Sequence, residues 1–453
     1  MLFLALTLVF GLAPMNMNLT TSVDPAVQYQ TWEGFGTSLC WWAHIVGDYP
    51  EPLRSTLVKM AIGDLGLTIM RYNIGGGEAP GLNYMEPRAS VPGYLSPNGA
   101  YDWTADAGQR WVLARSKQFG AKKFEAFSNS PPYFMTISGS VTGGKDGIDN
   151  LDPARMNDFT NYLATVTKHF RDVWHVKFET LDPMNEPGSP WWKLGNRQEG
   201  CRVSPGPNQS ELVIAMAKAF AATKLSTKVS ACDESWNSWA VTSWDALSAE
   251  AKQYIMQLNT HCYSGKSQHE LNVRAVREGK RLWMSEYGDG DATGMQTAHQ
   301  IVTDLRVMMP SAWVYWQVID GGSGWGCIDI DLNRKSQNYK INRKYYAFAQ
   351  FSKFIRPGAK FISIGNPNSI AVLKGNQMVI ITVSDSAQTV TYDLSKFAKL
   401  GAEAAATQTS ANENLAPQKP IAIEDESFAA DLPAKSVTTF VIDGCTFGEA
   451  TKH

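Results

Sequence analysis

Along the 453-residue chain, short runs rich in β-branched and aromatic residues alternate with stretches whose apolar positions recur every three or four residues. The alternation repeats eight times. It predicts strands within residues 32–42 (WEGFGTSLCWW), 67–77 (LTIMRYNIGGG), 122–132 (KKFEAFSNSPP), 178–187 (FETLDPMNEP), 228–236 (KVSACDESW), 258–263 (LNTHCY), 281–288 (RLWMSEYG) and 312–320 (AWVYWQVID). Helices are predicted at 51–64, 104–119, 153–171, 210–225, 243–257, 268–279, 295–309 and 343–355. The clearest is 153–171, where Met156, Phe159, Leu163, Val166 and Phe170 share one face, and Asp152-Pro153 supplies a cap and a first-turn proline. Eight βα units in succession predict an α/β fold of the (β/α)8 TIM-barrel type rather than an open doubly wound sheet. Several strand candidates end in polar loops with glycine or proline, as loops on the C-terminal rim of a barrel would.

After the IRPGAK segment (355–360) the pattern changes to short strands with no further convincing helix: FISIG, SIAVLKG, QMVIITVSD, TVTYDL and SVTTFVID. This predicts a side β-sandwich over 356–453, joined by an N-terminal strand at 19–31, with the barrel occupying 32–355. The polar, alanine-rich stretch 401–420 reads as a surface excursion.

Residues 2–13 (LFLALTLVFGLA) form an apolar run too short to span a bilayer. At the N-terminus it reads as the core of a signal peptide, residues 1–18, although the usual basic flank is missing. No later run reaches membrane-spanning length. The net charge of −2 gives no reason to expect a nucleic acid or an anionic membrane as partner. Six cysteines permit up to three disulfides in an oxidising compartment, or serve equally as buried free thiols. Asn18-Leu19-Thr20 and Asn208-Gln209-Ser210 match glycosylation sequons. A secreted, extracellular monomer is the resulting expectation. Fifteen tryptophans are the compositional oddity; they suit a core, or flat surfaces on which sugars stack.

Two glutamates draw attention by position. Glu186 closes the fourth strand candidate and Glu286 the seventh, so a barrel places them across its mouth from each other. Two carboxylates about 5–5.5 Å apart can serve as nucleophile and acid/base in retaining glycoside hydrolysis, whereas about 6.5–9.5 Å implies inversion. The proton donor needs a raised pKa, for which Pro183, Pro187, Trp191 and Trp192 give Glu186 apolar neighbours. The nucleophile needs donors, and Arg71 and Tyr263 could hold Glu286 ionised. Asn185 can donate to a sugar 2-hydroxyl. Trp316 stands where it would floor the sugar ring or simply fill the barrel, and His261 is assigned substrate contact. Other chemistries lack their signatures. The seven histidines form no H-E-x-x-H pair, so no metal or other cofactor is expected. Asp289 and Asp291 read as solvated loop acids. No P-loop lysine follows the three glycines of YNIGGG, and no G-x-S-x-G elbow is present.

Taken in order, WEGFG, RYNIGGG, NSPPYFM, NEP, HCY, SEYG and YWQ resemble the motif series of glycoside hydrolase family 30, from about Trp32 to Trp316. The resemblance implies a barrel with a side β-sandwich and a retaining mechanism, with Glu186 matching the acid/base and Glu286 the nucleophile. It implies sugar contacts from Arg71, Asn185, Tyr263 and Trp316, with Trp42, Tyr133 and Trp191 as further substrate-binding positions. The WEGFGTSLCWWA start is similar to fungal members that cut the β-1,6-galactan side chains of arabinogalactan. A polysaccharide or oligosaccharide is the implied partner. Members that cut β-1,6-glucan or glucuronoxylan share most of the same core.

Overall fold

The computed structural model describes residues 17–333 and 336–447; residues 1–16 of the expected signal peptide lie outside them. The chain divides into two bodies, one running Gln28–Phe361 and the other formed by the chain up to Val27 together with Ile362 onward.

The first body is a closed barrel of eight parallel strands: β1 (Gly34–Ser38), β2 (Ile69–Asn73), β3 (Lys123–Phe127), β4 (Thr180–Asp182), β5 (Lys228–Trp236), β6 (Ile255–Ser264), β7 (Arg281–Tyr287) and β8 (Ala312–Tyr315). Closure comes from β1 pairing with β8, Gly34 opposite Ala312 and Thr37 opposite Tyr315. Gly36 is required here, because a β-carbon would lie 2.4 Å from the Ile69 carbonyl of β2. Between strands the chain returns through helices such as Ala107–Gln118, Met156–Asp172, Pro207–Ala222 and Gln268–Arg277. Met156–Asp172 buries Phe159, Leu163, Val166 and Phe170, the face expected from its periodicity. Asp152 accepts from the Ala154 amide at 2.9 Å, but it caps a short 3-10 turn, Pro153–Arg155, and the α-helix proper begins at Met156.

The barrel is apolar at its base, where Ile69, Trp283, Ala312 and Val314 form a buried cluster. It is charged higher up. Arg71, Glu125, Asp182 and Asp233, one each from β2 to β5, are all fully buried. The ladders slip at Cys232/Glu234 in β5, Thr260/His261 in β6 and Met284/Tyr287 in β7. Such bulges re-aim side chains, and each falls beside a residue of the site described below.

The second body is a mixed sheet containing ten strands. Its N-terminal strand pairs in parallel with Gln388–Asp393, Met17 opposite Gln388 through Ser22 opposite Asp393, and Ile380, Tyr392, Phe428 and Phe440 lie in its core. The stretch expected to be a surface excursion contains the strand Glu403–Thr409, hydrogen-bonded to Ser436–Ile442. Its alanines alternate between buried and exposed, a period-2 pattern carried by residues of low β-propensity. All six cysteines are buried free thiols.

Candidate active site

β4 is short, ending at Asp182, and the following loop is fixed by bonds to its neighbours. The Asn185 amide donates to the Ser128 carbonyl at 2.8 Å and the Glu186 amide to the Asp233 carbonyl at 2.9 Å. The Trp192 indole N–H donates to the Glu186 carbonyl at 2.9 Å. Glu186 itself adopts left-handed backbone, φ +46°, which turns its side chain out of the strand direction and over the barrel mouth. Beyond it, the Gly188 amide donates to the Glu234 carboxylate at 2.9 Å. A β-carbon at Gly188 would sit 2.9 Å from both Glu234 oxygens, so glycine lets the loop lie directly on this buried acid.

Glu286 lies opposite, near the end of β7. Its Oε1 accepts the Tyr263 hydroxyl at 3.0 Å and its Oε2 the Arg71 guanidinium at 3.3 Å. His261 stands between the two glutamates, its Nδ1 3.1 Å from Glu186 Oε1 and 3.4 Å from Glu286 Oε1. The other ring nitrogen faces Asp233 at 3.3 Å. One oxygen of each glutamate and a nitrogen of His261 all lie within 4.8 Å of one another. A divalent ion bound among these three would compete with Arg71, Tyr263 and Trp191, whose N–H and O–H groups already occupy the carboxylate oxygens.

Beneath the pair, Arg71 also binds Glu125 at 3.0 Å and Asp233 at 2.7 Å. Asn259 bridges Glu125 and Asp182 at 3.0 and 3.3 Å. Burial opposes ionisation of Asp233, but Arg71 and His261 outweigh it and hold this carboxyl well below the usual range. Burial and the Asp233 and Glu125 carboxylates push Asp182 well up instead. Burial alone would lower the His261 pKa, yet Glu286 and Asp233 raise it well above its ordinary value. Burial, with the nearby Glu186 and Asp233 charges, pushes Glu286 up to about 7 against the pull of His261 and Arg71. Burial and the two glutamates drive the Tyr263 hydroxyl well up, which keeps it a donor.

The cavity over the pair measures about 400 Å³, within the usual range for a small-ligand site. Glu186 and Glu286 are 7% and 3% exposed, so each presents only an edge to it. Trp41 and Trp316 meet edge to face at 5.0 Å and form its apolar wall. Arg88, paired with Asp320 at 3.3 Å, forms part of a polar one. Two opposed carboxyls above buried cationic donors, under a half-apolar, half-polar cavity, suit acid–base and nucleophilic work on a polyhydroxylated ring.

A family model described as O-glycosyl hydrolase family 30 matches residues 18–278. The chain belongs to glycoside hydrolase family 30. It is 30% identical to an endo-beta-1,6-galactanase of Hypocrea rufa over 458 residues, covering 94% of this chain and 95% of that protein. Among solved structures it is similar in fold to a conserved exported protein from Bacteroides fragilis, with a TM-score of 0.81 and 21% identity over 93% of this chain and 100% of that one. It also resembles the catalytic domain of a GH30 xylanase C from Talaromyces cellulolyticus, with a TM-score of 0.74 and 22% identity over 93% and 99% of the two chains.

In this family 30 hydrolase the structure gathers Glu186, Glu286, Asn185, Tyr263 and Trp316 around one cavity, with Arg71 and His261 directly behind the carboxylates. The Asn185 Oδ1 atom is buried without a partner among the described residues. Trp191 lies outside the cavity wall, but its indole N–H donates to Glu186 Oε2 at 3.2 Å. Four expected sugar contacts fall elsewhere: Arg71 and His261 are 0% exposed and do not line the cavity, because their polar groups are taken up by the buried carboxylates, and Trp42 and Tyr133 lie off it as well. Trp42 is 0% exposed and donates to the Ser38 carbonyl at 2.9 Å; its neighbour Trp41 takes the cavity position. Tyr133 sits in a separate 3-10 turn, Tyr133–Met135, and does not line the cavity. Asp289 is not a solvated loop acid, since it is buried against Lys344 at 2.9 Å and the Thr297 hydroxyl at 2.6 Å. The glycines of YNIGGG serve a buried acid, the Gly76 amide donating to Glu199 at 2.8 Å. Sequence reasoning missed Asp233 and Glu125, although an acid inside an otherwise apolar parallel strand is a usable signal.

Proposed function

We propose that this hydrolase is a secreted, retaining endo-enzyme that cuts the β-1,6-galactan side chains of arabinogalactan by double displacement. The observation that carries the mechanism is the approach of Glu186 and Glu286 oxygens to within 4.8 Å. That separation favours direct attack by a carboxylate over the wider gap, roughly 6.5–9.5 Å, that admits a water. The nearly full-length likeness to a fungal endo-beta-1,6-galactanase supports the substrate. The apolar run at residues 2–13 supports export.

In the first step Glu286 attacks the anomeric carbon. The bond to the leaving O6 breaks as Glu186 gives that oxygen its proton, and a glycosyl ester forms on Glu286. In the second, water attacks the same carbon while Glu186 takes its proton, and the ester bond breaks to return Glu286 as carboxylate. Arg71 and Tyr263 hold Glu286 in line by their bonds to its two oxygens. Asn185 lines the cavity, its side-chain Oδ1 without a partner among the described residues, which supports a bond to the sugar 2-hydroxyl.

Proton NMR of the first-formed product of de-arabinosylated arabinogalactan tests both parts of the reading. A β-anomer is expected, and an α-anomer would overturn retention. Pustulan and glucuronoxylan are run beside it, and cleavage of only one of those would remove the galactan assignment. Glu286→Gln should abolish turnover and leave the circular dichroism spectrum intact.

A further inference from the structure

Three indole rings stand together just outside the cavity. Trp236 ends β5, and Trp239 follows in the first turn of the helix Asn237–Ala246. Trp191 joins them from the loop after β4. Trp236 and Trp239 lie 4.4 Å apart between ring centres at 30°, and Trp191 and Trp239 lie 5.4 Å apart at 27°. Trp191 is 36% exposed, and Trp236 and Trp239 are half-buried. Core packing alone does not account for the group. Trp192, the next residue, is 2% exposed and already anchors the loop through the Glu186 carbonyl.

The cluster has a definite side. Glu186 Oε1 faces His261, which reaches on to Glu286, whereas Oε2 faces the Trp191 N–H. The three rings therefore extend from the edge of Glu186 turned away from Glu286. A general acid must touch the oxygen between the sugar being transferred and the part that leaves. What continues from the far edge of that acid meets the leaving part.

We propose that Trp191, Trp236 and Trp239 form a sugar-stacking surface for the leaving-group side of the substrate, taking one or two galactosyl residues of the β-1,6-linked chain beyond the scissile bond. The assignment rests on the proposed reading of Glu186 as acid. Pyranose rings carry one apolar C–H face that packs on an aromatic face while the hydroxyls stay in water. The 1,6-linkage adds a rotatable exocyclic bond between rings, so a flat aromatic surface suits it better than a tight polar socket. Glycosyl-side recognition falls to Trp41, Trp316, Arg88 and Asp320, which line the cavity.

The test compares two substrates on the Trp239→Ala variant, because among the described residues the hydrogen bonds to the Glu186 and Glu286 carboxylates come from others, Trp191, His261, Arg71 and Tyr263. One is β-1,6-galactan; the other is β-1,6-galactobiosyl fluoride, whose departing atom is too small to reach the rings. The ratio of kcat/KM on galactan to that on the fluoride should fall about tenfold, the loss being on the polymer. Trp239→Phe, which keeps an aromatic face, should recover most of the ratio. An unchanged ratio in Trp239→Ala and in a Trp236→Ala/Trp239→Ala double variant overturns the proposal, as does an equal loss on both substrates. If the wild-type enzyme cuts β-1,6-glucan instead, the galactan reading fails while the surface is judged by the same ratio on glucan and the matching glucosyl fluoride.

Discussion

Arg71 is the cation on which the barrel interior depends, and replacing it with methionine separates its charge from its bulk. The side chain is fully buried and pairs with Glu125, Asp233 and Glu286 at 3.0, 2.7 and 3.3 Å. Methionine fills much of the stem's volume and leaves three carboxyls to face one another. Removing one member of a buried ion pair costs about 3–5 kcal/mol, and because three contacts share one cation their costs do not add. For a body of roughly 330 residues (Gln28–Phe361), an unfolding entropy of ~2.1 cal/mol/K per residue turns ~4 kcal/mol into a fall of ~6 °C in Tm. The pH dependence fixes the cause. Asp233 is held below its ordinary value in the fold, so its stabilising contribution is present above the unfolded carboxylate pKa and is lost only as pH falls through the lower folded value. The wild type thus keeps this contribution from about pH 5 to about pH 8. In the variant Asp233 loses the cation that holds it down and its pKa rises, so the variant regains stability as pH falls. Scanning calorimetry at both pH values should therefore show the larger Tm difference at the higher one. Equal differences at the two, or a fall of less than about 2 °C, would refute the electrostatic account.

The activity profile should follow the Glu286 carboxyl. Burial pushes it up to about 7, and it must be ionised to attack the anomeric carbon. kcat/KM should therefore climb as pH rises through that value; a rate already flat well below it would refute the assignment of Glu286 as nucleophile. Gly200→Ala should act on the acid from a distance. Its β-carbon would lie 2.1 Å from the Trp192 ring, displacing the indole that anchors the Glu186 carbonyl. A fall in kcat/KM of at least about tenfold is expected in steady-state assays while the near-ultraviolet spectrum of the barrel persists, and unchanged kinetics would refute the anchoring role.

How much of this could be read from the chain differs by element. All eight barrel strands were placed by pattern, because buried parallel strands read as compact apolar runs between helices. Glu286 lies within its run, whereas Glu186 lies four residues beyond the end of β4. The sequence reading points to Trp42, whereas Trp41 lines the cavity. The chain leaves β1 at Ser38, and strand alternation no longer says which of two adjacent rings points to the cavity. The bulges in β5 to β7 are invisible to a period-2 reading, and with them went the position of Asp233. Glu403–Thr409 was missed for a simpler reason: four of its positions are alanine or glutamate, which carry little strand preference.

Glu186 combines three local disadvantages: left-handed backbone, near-complete burial, and the proximity of another carboxylate. The backbone alone costs a residue with a β-carbon about 1–2 kcal/mol, a cost that asparagine escapes in part and glycine altogether. A sequence tuned only to fold would have no need of a glutamate here. The enzyme is therefore expected to be less durable than its own inactive Glu186→Asn form, and laboratory selection for heat resistance without selection for turnover would drift toward a well-folded protein that hydrolyses nothing.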